Sequence, residues 1–170
     1  MVIFERLNIM SREISCCFSG HRHLEWDFSI EELKRTIVSL IEKGYKIFIA
    51  GGALGFDTEV AVAVLQLKKK YKDIKLHIYV PCIGQESRWQ KKDIKLYNAI
   101  LKRADYVDMP SNYYNNECMK KRNYKMVDNA SFLVTYFNGN QISGTAQTIR
   151  YAKKCGLEII NLYAERDDDF

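Results

Sequence analysis

Three glycines, Gly51, Gly52 and Gly55, follow the apolar run IFIA and precede a second apolar stretch that opens at Phe56. A strand, a glycine-rich turn and a helix in that order make a cradle for a phosphate. Glycine lets the backbone turn tightly and come close to an anion, and the next helix presents its amide N–H groups and positive dipole end. The spacing excludes two familiar nucleotide loops. No Lys-Ser or Lys-Thr closes the turn as in a Walker A loop, and the glycines do not fall in a G-x-G-x-x-G pattern. Asp57 stands at the helix start, where a carboxylate either caps the first turn or accepts hydrogen bonds from a ribose or base.

Three more segments that follow apolar runs carry polar chemistry. In Phe18-Ser19-Gly20-His21-Arg22, Gly20 permits a tight turn and Ser19, His21 and Arg22 supply donors for an anion. His21 and His23 have no third partner at metal-ligand spacing, so no metal is expected. In the segment from Pro81 to Trp89, Gln85 can reach a ligand, and Trp89 either stacks on a base or packs as core. Cys82 has no evident paired base and reads as inert. In the segment from Phe137 to Ala146, Ser143, Gly144 and Thr145 sit at a strand-to-helix junction and form a second candidate phosphate site. Two such junctions at matching positions say more than one.

These loops need elements to hold them. Apolar runs at 14–18, 46–50, 76–80, 106–109, 132–137 and 157–162 read as strands. Amphipathic stretches at 29–43, 56–71, 87–103, 116–129 and 143–154 read as helices, with Ser29 as an N-cap and Gly44 and Gly156 as stops. Strands alternating with helices predict an α/β fold: a Rossmann-like three-layer sandwich with a mostly parallel central sheet. The strands are continuous apolar runs, as sheets buried on both faces require. Ligands in such sheets bind at the carboxyl ends of the strands, which is where all four segments fall.

The 170-residue length suits one domain, expected over 14–163, with an N-terminal extension at 1–13 and an acidic tail at 164–170. No apolar run approaches the ~20 residues of a membrane helix, and the first residues lack a signal-peptide pattern, so a cytoplasmic protein is expected. Five cysteines without a C-x-x-C suggest neither a disulfide framework nor a zinc site. The net charge of +5 suits an anionic ligand. It is too weak alone to argue for nucleic acid, which calls for a basic stripe or a recognised fold and is not the expected partner.

The motifs FSGHR, GGALGFD, the Pro81–Trp89 segment, RNYKMVDNAS and SGT with its helix, in this order, resemble the YpsA-like branch of the SLOG superfamily. Its relatives include the LOG phosphoribohydrolases and the DprA proteins. The resemblance implies a Rossmann-like fold, a nucleotide or nucleotide-derived ligand of the nucleoside-monophosphate, cyclic-nucleotide or ADP-ribose type, and a homo-oligomer. In LOG enzymes an Arg-x-x-x-Met segment and a PGG-x-GT-x-x-E loop serve cleavage of the base–ribose bond. Arg122 to Met126 matches the first. The second is partial, because Thr148 stands at the Glu position and no Pro-Gly-Gly precedes. The leading expectation is therefore a binding module acting as sensor, carrier or sequestering protein, with no cofactor. A LOG-like hydrolase using Arg122 with Asp57 or Glu59 is the alternative, and a partner-binding protein with a vestigial site is the third reading.

Overall fold

The computed structural model describes residues 10–163; residues 1–9 of the expected extension and the whole expected tail, 164–170, lie outside the described residues. Apolar runs and amphipathic segments alternate as β1 (Ser15–Gly20), α1 (Ile30–Glu42), β2 (Ile47–Ala50), α2 (Phe56–Leu67), β3 (Lys75–Tyr79), α3 (Lys91–Arg103), β4 (Tyr106–Asp108), α4 (Cys118–Asp128), β5 (Phe132–Tyr136), α5 (Gly144–Lys154) and β6 (Glu158–Asn161). The six strands form one sheet in the order β4-β3-β2-β1-β5-β6. Every neighbouring pair is parallel, so the expected mostly parallel sheet is parallel throughout. Cys16 of β1 lies opposite Phe48 of β2 on one side and Phe132 of β5 on the other, which puts β1 at the centre.

Side chains alternate across each strand with period two, and this divides the core. Cys16, Phe18, Phe48, Leu76, Ile78 and Val134 face the layer made by α1, α2 and α3. Cys17, Ile49 and Leu133 face the layer made by α4 and α5, where Met126, Val127 and Ala152 meet them. In α1 the buried residues are Leu33, Ile37 and Leu40, an i, i+4, i+7 stripe that turns one face to the sheet. Phe18, Phe48 and Phe56 are fully buried. Each contributes about 1.5–3 kcal/mol through the apolar area removed from water. Two sheet faces covered by helices make the architecture Rossmann-like.

Helix limits follow local chemistry. The Ser29 hydroxyl accepts the Glu32 N–H at 3.1 Å and starts α1. The helix expected from Ser87 begins only at Lys91. Between them, Ser87 N–H donates to Gly84 O at 3.1 Å and Trp89 N–H to Glu86 O at 2.9 Å, both three-residue turns. Gln90 is then extended, at φ −68° and ψ 150°, so no i→i−4 ladder runs through it. The helix expected to reach Tyr71 ends at Leu67 and tightens into turns over Lys68–Lys70. Among the described residues, no helix is long and apolar enough to cross a membrane.

Candidate functional site

The helix that follows β1 packs on one face of the sheet, and the helix that follows β5 packs on the other. Their loops part above the ends of these two strands and leave a crevice at the point where the strand order reverses. A cavity of about 250 Å³ occupies it. The end of β1 contributes Ser19, Gly20, His21 and Arg22, and the turn before α2 contributes Ala53 and Asp57. The second helical layer closes the cavity with Met119, Arg122, Asn123 and Met126 of α4, and with Ser143, Gly144 and Thr145 at the start of α5.

The α5 end is built to meet an acceptor. Ser143 caps the helix by accepting the Ala146 N–H at 3.1 Å. The first main-chain bond of the helix is Gln147 N–H to Ser143 O at 3.1 Å. The Gly144 and Thr145 N–H groups precede it and have no acceptor within the helix. Thr145 is only 5% exposed and Ser19 only 6% exposed. Among the described residues neither hydroxyl makes a hydrogen bond, and both line the cavity. Both hydroxyl oxygens stay open to the cavity and can meet a ligand oxygen or water, whereas the buried side-chain polar atom left without a partner among the described residues is Gln85 Oε1.

Arg122 of α4 and Asp57 of α2 line the cavity as a charged pair. Arg122 is buried, and its guanidinium is turned largely into the protein. Nη1 donates to Gly51 O, just past β2, and to Tyr79 O at the end of β3 at 3.3 Å. Nε donates to Asn123 Oδ1 at 2.7 Å. The side chain thus ties α4 to the carboxyl ends of two strands. Asp57 is 7% exposed, and its Oδ2 accepts the Ala53 N–H at 3.2 Å. Burial pushes the Asp57 carboxyl above its ordinary value, against the pull of Arg122 and of the Ala53 N–H. Burial also lowers the Arg122 value, countered first by Asp57.

His21 bridges the two loops above β1 and β5. Its Nε2 accepts the Asn138 N–H at 3.2 Å, which assigns the proton to Nδ1. Burial lowers its pKa, so the neutral form that makes this bond is favoured. The glycines serve the same closeness. A Cβ on Gly55, at φ +80°, would overlap the main chain of Arg22. A Cβ on Gly51 would run into the Arg122 guanidinium and lie 2.7 Å from Asp57 Oδ2.

The cavity brings together Ser19, Gly20, His21, Arg22, Asp57, Arg122, Ser143, Gly144 and Thr145, which the sequence singled out. It does not reach Gly51, Gly52, Gly55, Gln85, Trp89 or Glu59. A Cβ on Gly52 would point at Ile78 and Tyr97, away from the crevice. Gln85 Nε2 donates to Gly52 O at 3.3 Å and to the Tyr97 hydroxyl at 3.1 Å, so it supports the turn from behind. Trp89 packs edge-on against Tyr97 with ring centres 5.3 Å apart. Glu59 lies one turn into α2. Thr148, at the position of the LOG glutamate, is fully buried and donates to Gly144 O at 2.8 Å. Asn123 and Met119 line the cavity without having been singled out. Asn123 sits inside the Arg-x-x-x-Met segment, beside the arginine that holds it. No group of three or more His, Cys, Asp or Glu able to hold a metal occurs among the described residues.

A family model described as YspA SLOG family matches residues 12–162, nearly all that the structure describes. The chain belongs to the YspA SLOG family. Relatives include a UPF0398 protein of Halalkalibacterium halodurans, 28% identical over 137 residues that cover 79% of this chain and 72% of that one. A UPF0398 protein of Bacillus cereus is 28% identical over 134 residues, covering 78% and 72%. Among solved structures, the fold is similar to DNA processing protein A of Streptococcus pneumoniae, with a TM-score of 0.66 at 17% identity. The match covers 91% of this chain and 52% of that one. DNA processing protein A of Helicobacter pylori, described for its binding of single-stranded DNA, gives a TM-score of 0.68 at 15% identity, over 95% and 70%. At those identities the likeness speaks for the fold alone.

Proposed function

We propose that this chain binds a nucleotide or a nucleotide-derived phosphorylated ligand in the crevice between β1 and β5, as a sensor, carrier or sequestering module. The observation that carries this reading is the pair of hydroxyls of Ser19 and Thr145, on largely buried residues and without a protein partner among the described residues, open to a cavity capped by the α5 N-terminus. Helix N-termini favour anions, and hydroxyls with no protein partner favour oxygen-rich ligands. A concave site lined by a few convergent polar groups suits a small molecule. The reading includes self-association. Native mass spectrometry of the purified protein reports oligomeric state and any co-purifying nucleotide together. A panel of nucleoside monophosphates, cyclic nucleotides and ADP-ribose should include at least one that raises the melting temperature. Ligand at about 100-fold above its Kd stabilises by about 2.7 kcal/mol. No shift and no calorimetric heat from any member overturns the proposal.

Asp57 favours a second reading, a LOG-like phosphoribohydrolase. It is a carboxyl that lines the cavity, with a raised pKa. A carboxyl held above its ordinary value by burial is the kind of group that can carry a proton in general acid–base catalysis. Glu59 lies away from the cavity, which leaves Asp57 as the carboxylate of that reading. Free base released from AMP by the wild type and not by Asp57→Asn supports it. AMP recovered intact from the complex sinks it.

A further inference from the structure

Arg122 has only donors, so the atom of Asn123 that meets its Nε must be the acceptor, Oδ1, at 2.7 Å. That contact settles the orientation of the amide without reference to any ligand. It commits Nδ2, with its two N–H groups, to the opposite side. There Asn123 lines the cavity, and Nδ2 lies 4.0 Å from the position a Cβ on Gly144 would take. The donor therefore faces the start of α5, where Thr145 has its unpartnered hydroxyl, and Ser19 presents its own from the end of β1. The charge beside it is spent elsewhere: Arg122 Nη1 is held by Gly51 O and Tyr79 O, and Nη2 faces the Met119 sulfur at 3.9 Å.

We infer that Asn123 is the specificity-determining donor of the crevice, a neutral amide that hydrogen-bonds an anionic oxygen of the ligand, and that Arg122 is a positioning residue acting through it. The inference rests on the proposed phosphorylated ligand and names the group that recognises it from α4. Asn123→Asp is the sharp variant. It keeps the shape and keeps an acceptor for Arg122 Nε, so the clamp and the fold persist. It also replaces the inward donor with a second carboxylate oxygen, which repels the anion. Asn123→Ala removes the donor without adding charge. Arg122→Lys keeps the charge and loses the planar fork that orients the amide.

The test is calorimetric titration of AMP and of ribose 5-phosphate into wild type, Asn123→Asp, Asn123→Ala, Arg122→Lys and the Arg122→Lys/Asn123→Ala double variant. Expected are at least about 10-fold weaker binding of both probes by Asn123→Asp and a smaller loss for Asn123→Ala. Arg122→Lys should weaken the wild type by about 5-fold and change the Asn123→Ala background by less than about 2-fold, because the two residues act as one unit. A merely structural Arg122 gives the same loss in both backgrounds, which overturns the positioning role. Asn123→Asp binding either probe as tightly as wild type overturns the donor role. Wild type that binds neither probe, nor any other member of the nucleotide panel, overturns the proposed function itself. Binding by wild type without these differences fails this inference alone.

Discussion

Two residues show how local chemistry and local packing divide the work of the crevice. Gly55 stands at φ +80°, a conformation that costs an L side chain about 1–3 kcal/mol, and its missing Cβ makes room for the Arg22 main chain. Gly55→Ala should therefore destabilise the fold by at least that much, read as a lower midpoint in urea. A midpoint equal to wild type removes the loop-to-loop packing as the reason for glycine here. Asp57 makes the second case. Folding raises its proton affinity, so over the window above its ordinary pKa the folded state holds more protons than the unfolded chain. Stability contributed by this group falls as pH rises through that window. Melting temperatures of wild type and Asp57→Asn should diverge in favour of the variant as pH increases from about 4 towards neutrality. A constant difference across that range counts against a raised carboxyl. The positions of both residues were legible in the sequence, because a glycine turn and an acidic first turn leave a plain signal. The reason for the glycines was not. Spacing cannot tell a loop that approaches a ligand from one that approaches another loop more than twenty residues away in the chain.

The helices were legible to within a few residues where a cap marks them, and less so elsewhere. Ser29 and Ser143 both cap with their hydroxyls, at 3.1 Å, and α1 and α5 begin where expected. The start of α3 was misplaced because residues 84–89 turn with three-residue bonds that helical periodicity does not distinguish. That shift takes Trp89 off a helix and sets it against Tyr97, away from the cavity. In α4 Arg122 stood out from the sequence and Asn123 did not, since a charged side chain is the usual partner of an anion. Only the fold reveals that strand ends take up the guanidinium. In α5, the LOG glutamate position is an interior one: Thr148 is fully buried and its hydroxyl folds back to Gly144 O. Thr148→Glu should thus bury a carboxylate rather than install a catalytic acid. A loss of about 3 kcal/mol or more in chemical denaturation is expected, with no release of base from AMP. A variant as stable as wild type would place that side chain in the crevice instead.

For the molecule as a whole, alternation of strand and helix was enough to predict the layers, and the continuous apolar strands were enough to predict a sheet covered on both faces. Strand order was not legible, because each apolar run carries no label for its neighbours. The order matters for timing as well as for shape. Cys16 of the central strand pairs with Phe132, so one side of β1 has no partner until a segment made far later arrives. At translation rates of about 5–20 residues per second, that interval is on the order of ten seconds. Throughout it the nascent chain carries an open hydrogen-bonding edge on β1. The crevice, whose α4 and α5 walls flank β5, forms only once β5 and the start of α5 have arrived, so a ribosome-bound chain lacking residues beyond 131 has a sheet two strands short and no crevice.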